Sequence, residues 1–329
     1  SLRIVNWIKW GLKNNKHNNI FLQSLVIQAR WLNKKIEWHL LGNHLFANAK
    51  ALIFAGFFFT GKEAEGWLYK GWKIALEEMS EQILSDGGHF ELSTMYHSIF
   101  LEDILDIINI MNKYPKLVDN SYHEICVRAS IKMMDWLQKM SHPDGEISFF
   151  NDSSIGIAQS PNELKLYAKK LGIKSSINKK YYNNLSYNHL KESGYISLQT
   201  KNLSIFLDVA KIGPEYLPGH GHADILSFEM SMFSKRFFVN GGTSEYDSGK
   251  IRFKERSTSS HNTVTINDQN SSQIWSSFRV AKRAEPTGLK IKKSNGCIFI
   301  NCSHDGYKTI PGKPIHTRYW KINKNEIEI

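Results

Sequence analysis

From the start of the chain to about Lys180, apolar residues recur at the i, i+3, i+4 spacing of helices with one buried face. One stripe of five side chains shows this period: Leu101, Ile104, Leu105, Ile108 and Met111. Short breaks rich in Gly, Asn or Asp separate the periodic segments, as at 41–43 and 60–62. This half of the sequence therefore predicts stacked antiparallel helical hairpins.

Beyond Gly194 the period changes to two. Phe228, Met230 and Met232 alternate with polar neighbours, which is the pattern of a strand with one buried face. A polar stretch, Lys179–Glu192, lies between the two patterns and resembles a join between domains. We expect a helical domain over residues 1–185 and an antiparallel β-sandwich over residues 190–329.

Composition narrows the class of protein. The chain has 329 residues, of which 41% are hydrophobic, so intrinsic disorder is excluded. No long uncharged apolar run occurs, and no membrane span is predicted. The net charge of +11 favours an anionic partner. The lysines are scattered, without a nucleic-acid-binding motif, so nucleic acid is not the expected partner.

The two ends of the sequence lack terminal signals. Ser1 lies inside an apolar periodic segment, and the last residues alternate like strands without a closing turn. We expect this sequence to be a piece of a longer chain. The compartment therefore stays open, because an export signal would precede Ser1.

The first candidate for chemistry is the Gly42-Asn43-His44 run. Asn43 is interpreted either as the cap of the following helix or as an amide that holds a carboxylate beside the imidazole of His44. The second role suits a helix N-terminus, where free N–H groups and the helix dipole favour negative charge.

A second cluster runs from Asp86 to His97 and contains Tyr96. Ser93 or Thr94 can cap the following helix, and a tyrosine there can be packing alone. A phenol beside imidazoles is also suited to proton transfer, because such neighbours stabilise the phenolate.

A third cluster, Pro218–Asp224, contains a His-x-His pair. On an extended backbone His220 and His222 point to one face, and the flanking glycines leave room around both rings. The fourth run, Arg256–Thr263, adds His261 and is a weak signal by itself.

Together these clusters resemble the heparinase II/III-like polysaccharide lyases, of the branch associated with bacterial surface-polysaccharide gene clusters. Several blocks appear in the family's order: Trp38–Asn48, Asp86–Glu91, Met95–His97, His142–Glu146, Phe149–Asp152, Gly219–Asp224 and His261–Val264. The resemblance implies a truncated (α/α) toroid of helical hairpins followed by an antiparallel β-sandwich. It weakly favours a periplasmic or cell-envelope location.

The resemblance also implies a carbon–oxygen lyase that cuts an acidic, uronate-containing polysaccharide by β-elimination. The C5 proton of a uronate is too weakly acidic to remove until the neighbouring carboxylate is neutralised. By motif, Asn43 would neutralise it with His44 beside it. Tyr96 would protonate the departing O4, and for one epimer would also be the base. His220 would be the other base.

The same blocks supply the remaining expected site residues. His97, Glu91 and Arg256 would bind substrate. One structural divalent ion of the zinc type, not needed for the chemistry, would be held by three residues: His222, Asn240 and His261.

Two positions depart from the family's pattern. At position 240 an Asn stands where an Asp is expected, and a neutral amide is a poorer ligand for such an ion. Leu92 stands where relatives often have Arg, which makes the acidic sugar less certain. These departures favour, as an alternative, a catalytically impaired glycan-binding protein of the same fold.

A third hypothesis is a metal-dependent hydrolase. Closely spaced His and Asp side chains also serve zinc catalysis, and the candidates are His220, His222, Asp224 and His261.

Overall fold

The computed structural model describes residues 1–15, 17–117, 119–173, 185–324 and 326–329. The first part of the predicted join, residues 179–184, lies outside the described residues. The chain divides into two compact units. The first comprises Ser1–Ile83, Phe100–Lys132 and Leu166–Lys174; the second comprises Leu84–Ile99, Met133–Lys165 and Ser175–Ile329. The expected domain boundary between residues 185 and 190 stays a prediction.

The helices follow the predicted period. In chain order they are α1 (Leu2–Asn14), α2 (Asn19–Lys34), α3 (Gly42–Phe58), α4 (Lys62–Gln82), α5 (Thr94–Lys113), α6 (Asn120–Lys139), α7 (Pro161–Lys170) and, among the strands, α8 (Lys250–Arg256). Short 3₁₀ turns cover Pro115–Leu117 and Thr258–Ser260. Within the described residues, no helix combines the length and apolarity that a membrane crossing needs.

The centre of the first unit is α3, most of whose side chains are buried. A Cβ atom at Gly71 of α4 would lie 2.9 Å from the backbone nitrogen of Ile53, so the missing side chain lets the two helices approach closely. Phe46 of α3 also stacks on Phe100, with ring centroids 4.1 Å apart.

This unit also buries an ionic network. The Nζ atom of Lys50 lies 2.6 Å from Asp103 and 2.5 Å from Asp106. Lys9 and the hydroxyl of Tyr167 donate to Asp106 as well. Burial alone would lower the pKa of Lys50, but the two carboxylates outweigh it and raise the pKa.

The second unit contains two antiparallel sheets. The first has the order β1 (Ser186–Leu190), β2 (Tyr195–Gln199), β3 (Leu203–Asp208), β4 (Phe228–Met232) and β5 (Lys235–Phe238). The second has the order β11 (Ile327–Glu328), β10 (His316–Ile322), β9 (Cys297–His304) and β8 (Pro286–Ser294). A two-stranded ribbon joins β6 (Ile274–Trp275) to β7 (Arg279–Val280).

The two larger sheets share one apolar core. Ile205, Leu207 and Phe228 of the first sheet cluster with Ile300 and Trp320 of the second, all of them buried. Alternation along β9 places Ile298, Ile300 and Cys302 in this core. The predicted order, helices followed by antiparallel sheets, is confirmed.

Candidate active site

The His-x-His pair lies on the loop between β3 and β4, within the second unit. The backbone N–H of Asp152 donates to the carbonyl of His220 at 3.1 Å, and the N–H of His222 donates to the side-chain oxygen of Asn151 at 2.9 Å. A Cβ atom at Gly221 would lie 2.6 Å from the carbonyl oxygen of Ile212. Glycine is therefore required for the loop to pass the carbonyl group of Ile212.

Both imidazoles converge on one buried carboxylate. Asp152 Oδ2 lies 2.8 Å from His220 Nδ1, and Oδ1 lies 2.8 Å from His222 Nε2. Arg252 of α8 donates to both oxygens of the same carboxylate, and Thr243 donates to Oδ1 at 2.8 Å. Asp152 and Arg252 are fully buried. This carboxylate therefore fixes the orientation of both rings.

The charge state of Asp152 follows from these contacts. Burial alone would raise the pKa of the carboxyl group, but hydrogen bonds from the two imidazoles and the guanidinium outweigh it and hold the pKa well below its usual range. An ionised carboxylate only accepts hydrogen bonds. His220 therefore donates the proton on its Nδ1 atom to Asp152, and in the neutral form of the ring the Nε2 atom carries the lone pair.

Tyr96 lies against this imidazole. It belongs to the first turn of α5, where its N–H donates to the Ser93 hydroxyl at 3.1 Å. The ring centroids of Tyr96 and His220 are 3.9 Å apart. Two of the four predicted catalytic residues, one from a helix and one from a strand-connecting loop, are thus direct neighbours.

A second tyrosine completes the cluster. The hydroxyl of Tyr246 lies 3.1 Å from that of Tyr96, and its ring stacks on Phe278, with the Arg252 guanidinium carbon 5.1 Å from the Tyr246 centroid. Burial, followed by the contact with Tyr246, raises the pKa of Tyr96 well above its ordinary value. Burial, followed by the charge of Asp152, raises the pKa of Tyr246 to about 12. Both phenols therefore keep their protons at neutral pH.

Family models account for nearly the whole chain. One described as "Heparinase II/III N-terminus" matches residues 14–178, and one described as "Heparinase II/III-like, C-terminal" matches residues 183–329. This chain belongs to the heparinase II/III-like family. The family predicted from the ordered sequence blocks is confirmed.

Two characterised proteins show how far the likeness of this heparinase II/III-like chain extends. It is 29% identical over 281 residues to the heparin-sulfate lyase of Bacteroides stercoris, covering 80% of this chain and 41% of that protein. It is 27% identical over 271 residues to the heparin-sulfate lyase of Pedobacter heparinus, covering 76% and 39% respectively. The chain therefore spans about two fifths of the length of these relatives.

Solved structures show the same fold. The crystal structure of heparinase III superposes with a TM-score of 0.76 at 21% identity, covering 98% of this chain and 52% of that one. A mutant of the heparan sulfate lyase HepC from Pedobacter heparinus superposes with a TM-score of 0.67 at 22% identity, covering 93% and 48%. At these identities the superpositions show the fold alone.

The other two predicted catalytic residues of this heparinase II/III-like chain lie in the first unit. Asn43 and His44 form the first turn of α3, which begins at Gly42. His44 is exposed, and its Nδ1 atom lies 3.8 Å from Glu37 Oε2. Asn43 is half-buried. Their part in the chemistry stays a prediction.

Two predicted substrate-binding residues are buried close to the cluster. Glu91 Oε2 lies 3.8 Å from His220 Nε2, so this carboxylate faces the acceptor nitrogen of the imidazole. His97 is fully buried, its Nε2 hydrogen-bonds the Met133 carbonyl at 2.9 Å, and its ring stacks on Trp136. Burial lowers the pKa of His97 to about 4. These contacts assign His97 an interior role, and substrate binding by either residue stays a prediction.

Arg256 is the third predicted substrate-binding residue, and it supports the His-x-His loop. It is fully buried, and its guanidinium donates to four backbone carbonyls: those of Gly221, Ser276, Ser277 and Arg279. A guanidinium has five donors, so little of Arg256 is left for a ligand. Arg252, four residues before Arg256, contacts Asp152 directly. This residue was not predicted from the sequence as part of the site.

The predicted metal ligands are neighbours but do not fit one ion as they are arranged. His261 Nε2 lies 3.3 Å from His222 Nδ1, whereas His261 Nδ1 lies 3.3 Å from Asn240 Oδ1. A zinc-type ion needs one lone pair from each ligand directed at one point, and here the other two side chains face opposite nitrogens of the His261 ring.

The hydrolase hypothesis depends on a similar convergence. In the described part of the chain, no group of three or more His, Cys, Asp or Glu side chains is placed to hold a metal ion. Asp224 is fully buried, and burial raises its pKa to about 6. Its carboxylate is thus an interior group of the second unit.

Proposed function

We propose that the protein to which this chain belongs is a polysaccharide lyase. It cleaves a uronate-containing acidic glycan by β-elimination: a base removes the C5 proton, the C4–O4 bond breaks as a C4–C5 double bond forms, and an acid protonates O4. The supporting observation is the contact of Tyr96 with His220 beside a fixed carboxylate. The two similar proteins are heparin-sulfate lyases, which supports an acidic polysaccharide as substrate.

His220 is the proposed base. Its Nδ1–H donates to Asp152, so the lone pair of Nε2 is available for the C5 proton. After proton transfer, the imidazolium has Asp152 on one side and Glu91, 3.8 Å from Nε2, on the other.

Tyr96 is the proposed acid. A general acid must hold its proton until the leaving oxygen needs it, and Tyr96 is protonated at neutral pH because burial raises its pKa. The resulting phenolate needs a donor, which the hydroxyl of Tyr246 supplies at 3.1 Å.

Asn43 is the proposed neutraliser of the substrate carboxylate, with His44 beside it. Both residues lie in the first turn of α3, where unpaired backbone N–H groups and the helix dipole attract an anion. An amide donor there strengthens the same attraction without adding a titratable group.

The test follows the ultraviolet absorbance of unsaturated product during incubation with uronate polysaccharides. We expect Tyr96→Phe, His220→Ala and Asn43→Ala each to lower kcat by about 10²–10⁴-fold. Tyr319→Phe, which removes a hydroxyl from an exposed tyrosine, is the matched control and should retain wild-type activity. Full activity in Tyr96→Phe and His220→Ala would refute the assignment.

A glycan-binding protein with impaired turnover is the second candidate, and Leu92 favours it. Leu92 is buried in an apolar cluster with Trp136 and Phe150, so an interior side chain stands where the family resemblance leads us to expect a cation. Calorimetry separates the two candidates. Binding of an acidic glycan that survives His220→Ala, with no product from the wild type, would select this one.

A further inference from the structure

His222, His261 and Asn240 form one end of a buried chain of polar contacts that begins at Arg252. The guanidinium of Arg252 donates hydrogen bonds to both oxygens of Asp152. Asp152 Oδ1 also lies 2.8 Å from His222 Nε2. The remaining links, from His222 to His261 and from His261 to Asn240, are both 3.3 Å. All five side chains are more than nine-tenths buried.

The order of the protons follows from the Asp152 carboxylate, to which Arg252 donates two hydrogen bonds. Asp152 accepts from His222 Nε2, so the N–H of a neutral His222 is on Nε2 and its Nδ1 is an acceptor. His261 Nε2 faces that acceptor and must carry the N–H of its own ring. His261 Nδ1 is then an acceptor as well.

This order decides which way the amide of Asn240 faces. An acceptor nitrogen needs a donor opposite it, so the Nδ2 group, not the Oδ1 atom, must point to His261 Nδ1. A half-turn of the side chain exchanges the two atoms. It also provides a partner for Asn240 Nδ2, a buried donor that otherwise has none, and an orphaned buried donor is costly.

The guanidinium of Arg252 supplies a positive charge within this cluster of side chains. The fully buried guanidinium of Arg252 balances Asp152 with two parallel hydrogen bonds and donates its Nε–H to the Ser277 carbonyl at 3.1 Å. Paired in this way, the arginine supplies the charge balance that a bound cation would otherwise bring.

We propose that Arg252 is the resident cation of this cluster and that Asn240 closes a neutral hydrogen-bond chain in place of a bound divalent ion. The chain orders the loop of His220 through the shared Asp152 carboxylate. Arg252 and Asn240 are therefore positioning residues for this loop. The proposal does not rest on lyase activity.

The amide at position 240 holds the His261 ring in the orientation that does not fit an ion. A carboxylate there could not donate to His261 Nδ1, and the two acceptors would face each other across 3.3 Å. Two imidazoles and one carboxylate are, however, a ligand set that suits zinc. Asn240→Asp should therefore turn the cluster into a zinc site.

Zinc content and thermal melting test this directly. Wild-type protein, Asn240→Asp and the control Asn295→Asp, in the exposed turn between β8 and β9, are incubated with zinc chloride and dialysed. We expect about one zinc per chain in Asn240→Asp and less than about a tenth in the other two. EDTA should lower the melting temperature of Asn240→Asp alone.

The zinc content of the wild-type protein tests whether the cluster binds a divalent ion, even if the variant fails to fold. One tightly held zinc per wild-type chain, with a melting temperature that falls in EDTA, would overturn the proposal. Equal zinc content in folded Asn240→Asp and wild type would overturn the role given to Asn240.

Nitrogen-15 NMR of the histidine rings tests the proton order. We expect the N–H on Nε2 in both His222 and His261. The backbone carbonyl of Glu255 also faces the His261 ring and competes for its single N–H. An N–H on Nδ1 of His261 would therefore contradict the inferred orientation of the Asn240 amide.

Discussion

The Nδ1 atom of His220 lies 2.8 Å from the Oδ2 atom of Asp152. This contact places a proton on Nδ1 of the imidazole. The other ring nitrogen, Nε2, is then the atom that can accept a proton from the substrate. The base proposed for the reaction is therefore oriented by a fully buried carboxylate.

Asp152→Asn should lower kcat by about 10²-fold and change KM by less than about threefold, because it disturbs the orientation of the base and leaves glycan binding intact. Asp144→Asn is the control, since Asp144 forms a partly exposed pair with Arg236. Steady-state kinetics on an acidic glycan measures both constants. A rise in KM with unchanged kcat would show that Asp152 acts in binding instead.

Tyr246→Phe removes the hydroxyl that faces Tyr96 and keeps the ring that stacks on Phe278. We expect kcat to fall by about 10- to 150-fold, because one hydrogen bond to a developing phenolate contributes roughly 1.5–3 kcal/mol. The loss should be smaller than that of Tyr96→Phe. Equal losses in the two variants would indicate that Tyr246 is itself the proton donor.

The lowered pKa of His97 makes the stability of the protein depend on pH. Its folded pKa of about 4 lies below the ordinary value of 6.5, so the unfolded chain binds the proton more tightly. The contribution of His97 to the free energy of unfolding is complete above pH 6.5. It falls by roughly 3 kcal/mol as the pH decreases towards 4. Denaturant unfolding across this range should show a shallower acid decline in His97→Gln than in the wild type. Parallel declines would show that His97 does not carry the effect.

Lys50→Met tests the buried network of the first unit. The change leaves Asp103 and Asp106 buried, with Lys9 as the remaining lysine partner of Asp106. We expect a loss of about 3–5 kcal/mol in the free energy of unfolding. Arg30→Met breaks an exposed pair with Glu63 in the same unit and should stay close to wild type. A Lys50→Met protein as stable as Arg30→Met would show that the network does not stabilise the unit.

The fold was predictable because each half of the sequence keeps a single period. Helical spacing indicated the hairpins, alternation indicated the strands, and ordered blocks indicated the family. The His-x-His motif and Tyr96 were also visible in the sequence, because each lies at a break between periodic segments.

The remaining contacts arise only when distant segments meet. Asp152 is 68 residues from His220, and Arg252 is 100 residues from Asp152, so neither spacing carries a local signal. His97 follows Tyr96 on a helix, where successive residues point about 100° apart, and this rotation buries the ring. Arg256 lies one turn after Arg252 in α8, and only the fold shows that the earlier arginine grips the carboxylate.

The most direct test of the lyase proposal is the fate of solvent oxygen during cleavage of a uronate polysaccharide in water labelled with heavy oxygen. β-Elimination consumes no water, so we expect unsaturated products by mass spectrometry, with no label at the cleaved bond when the products are reduced with borohydride at once to stop oxygen exchange at the new reducing end. Saturated products that carry heavy oxygen would show hydrolysis and contradict the account.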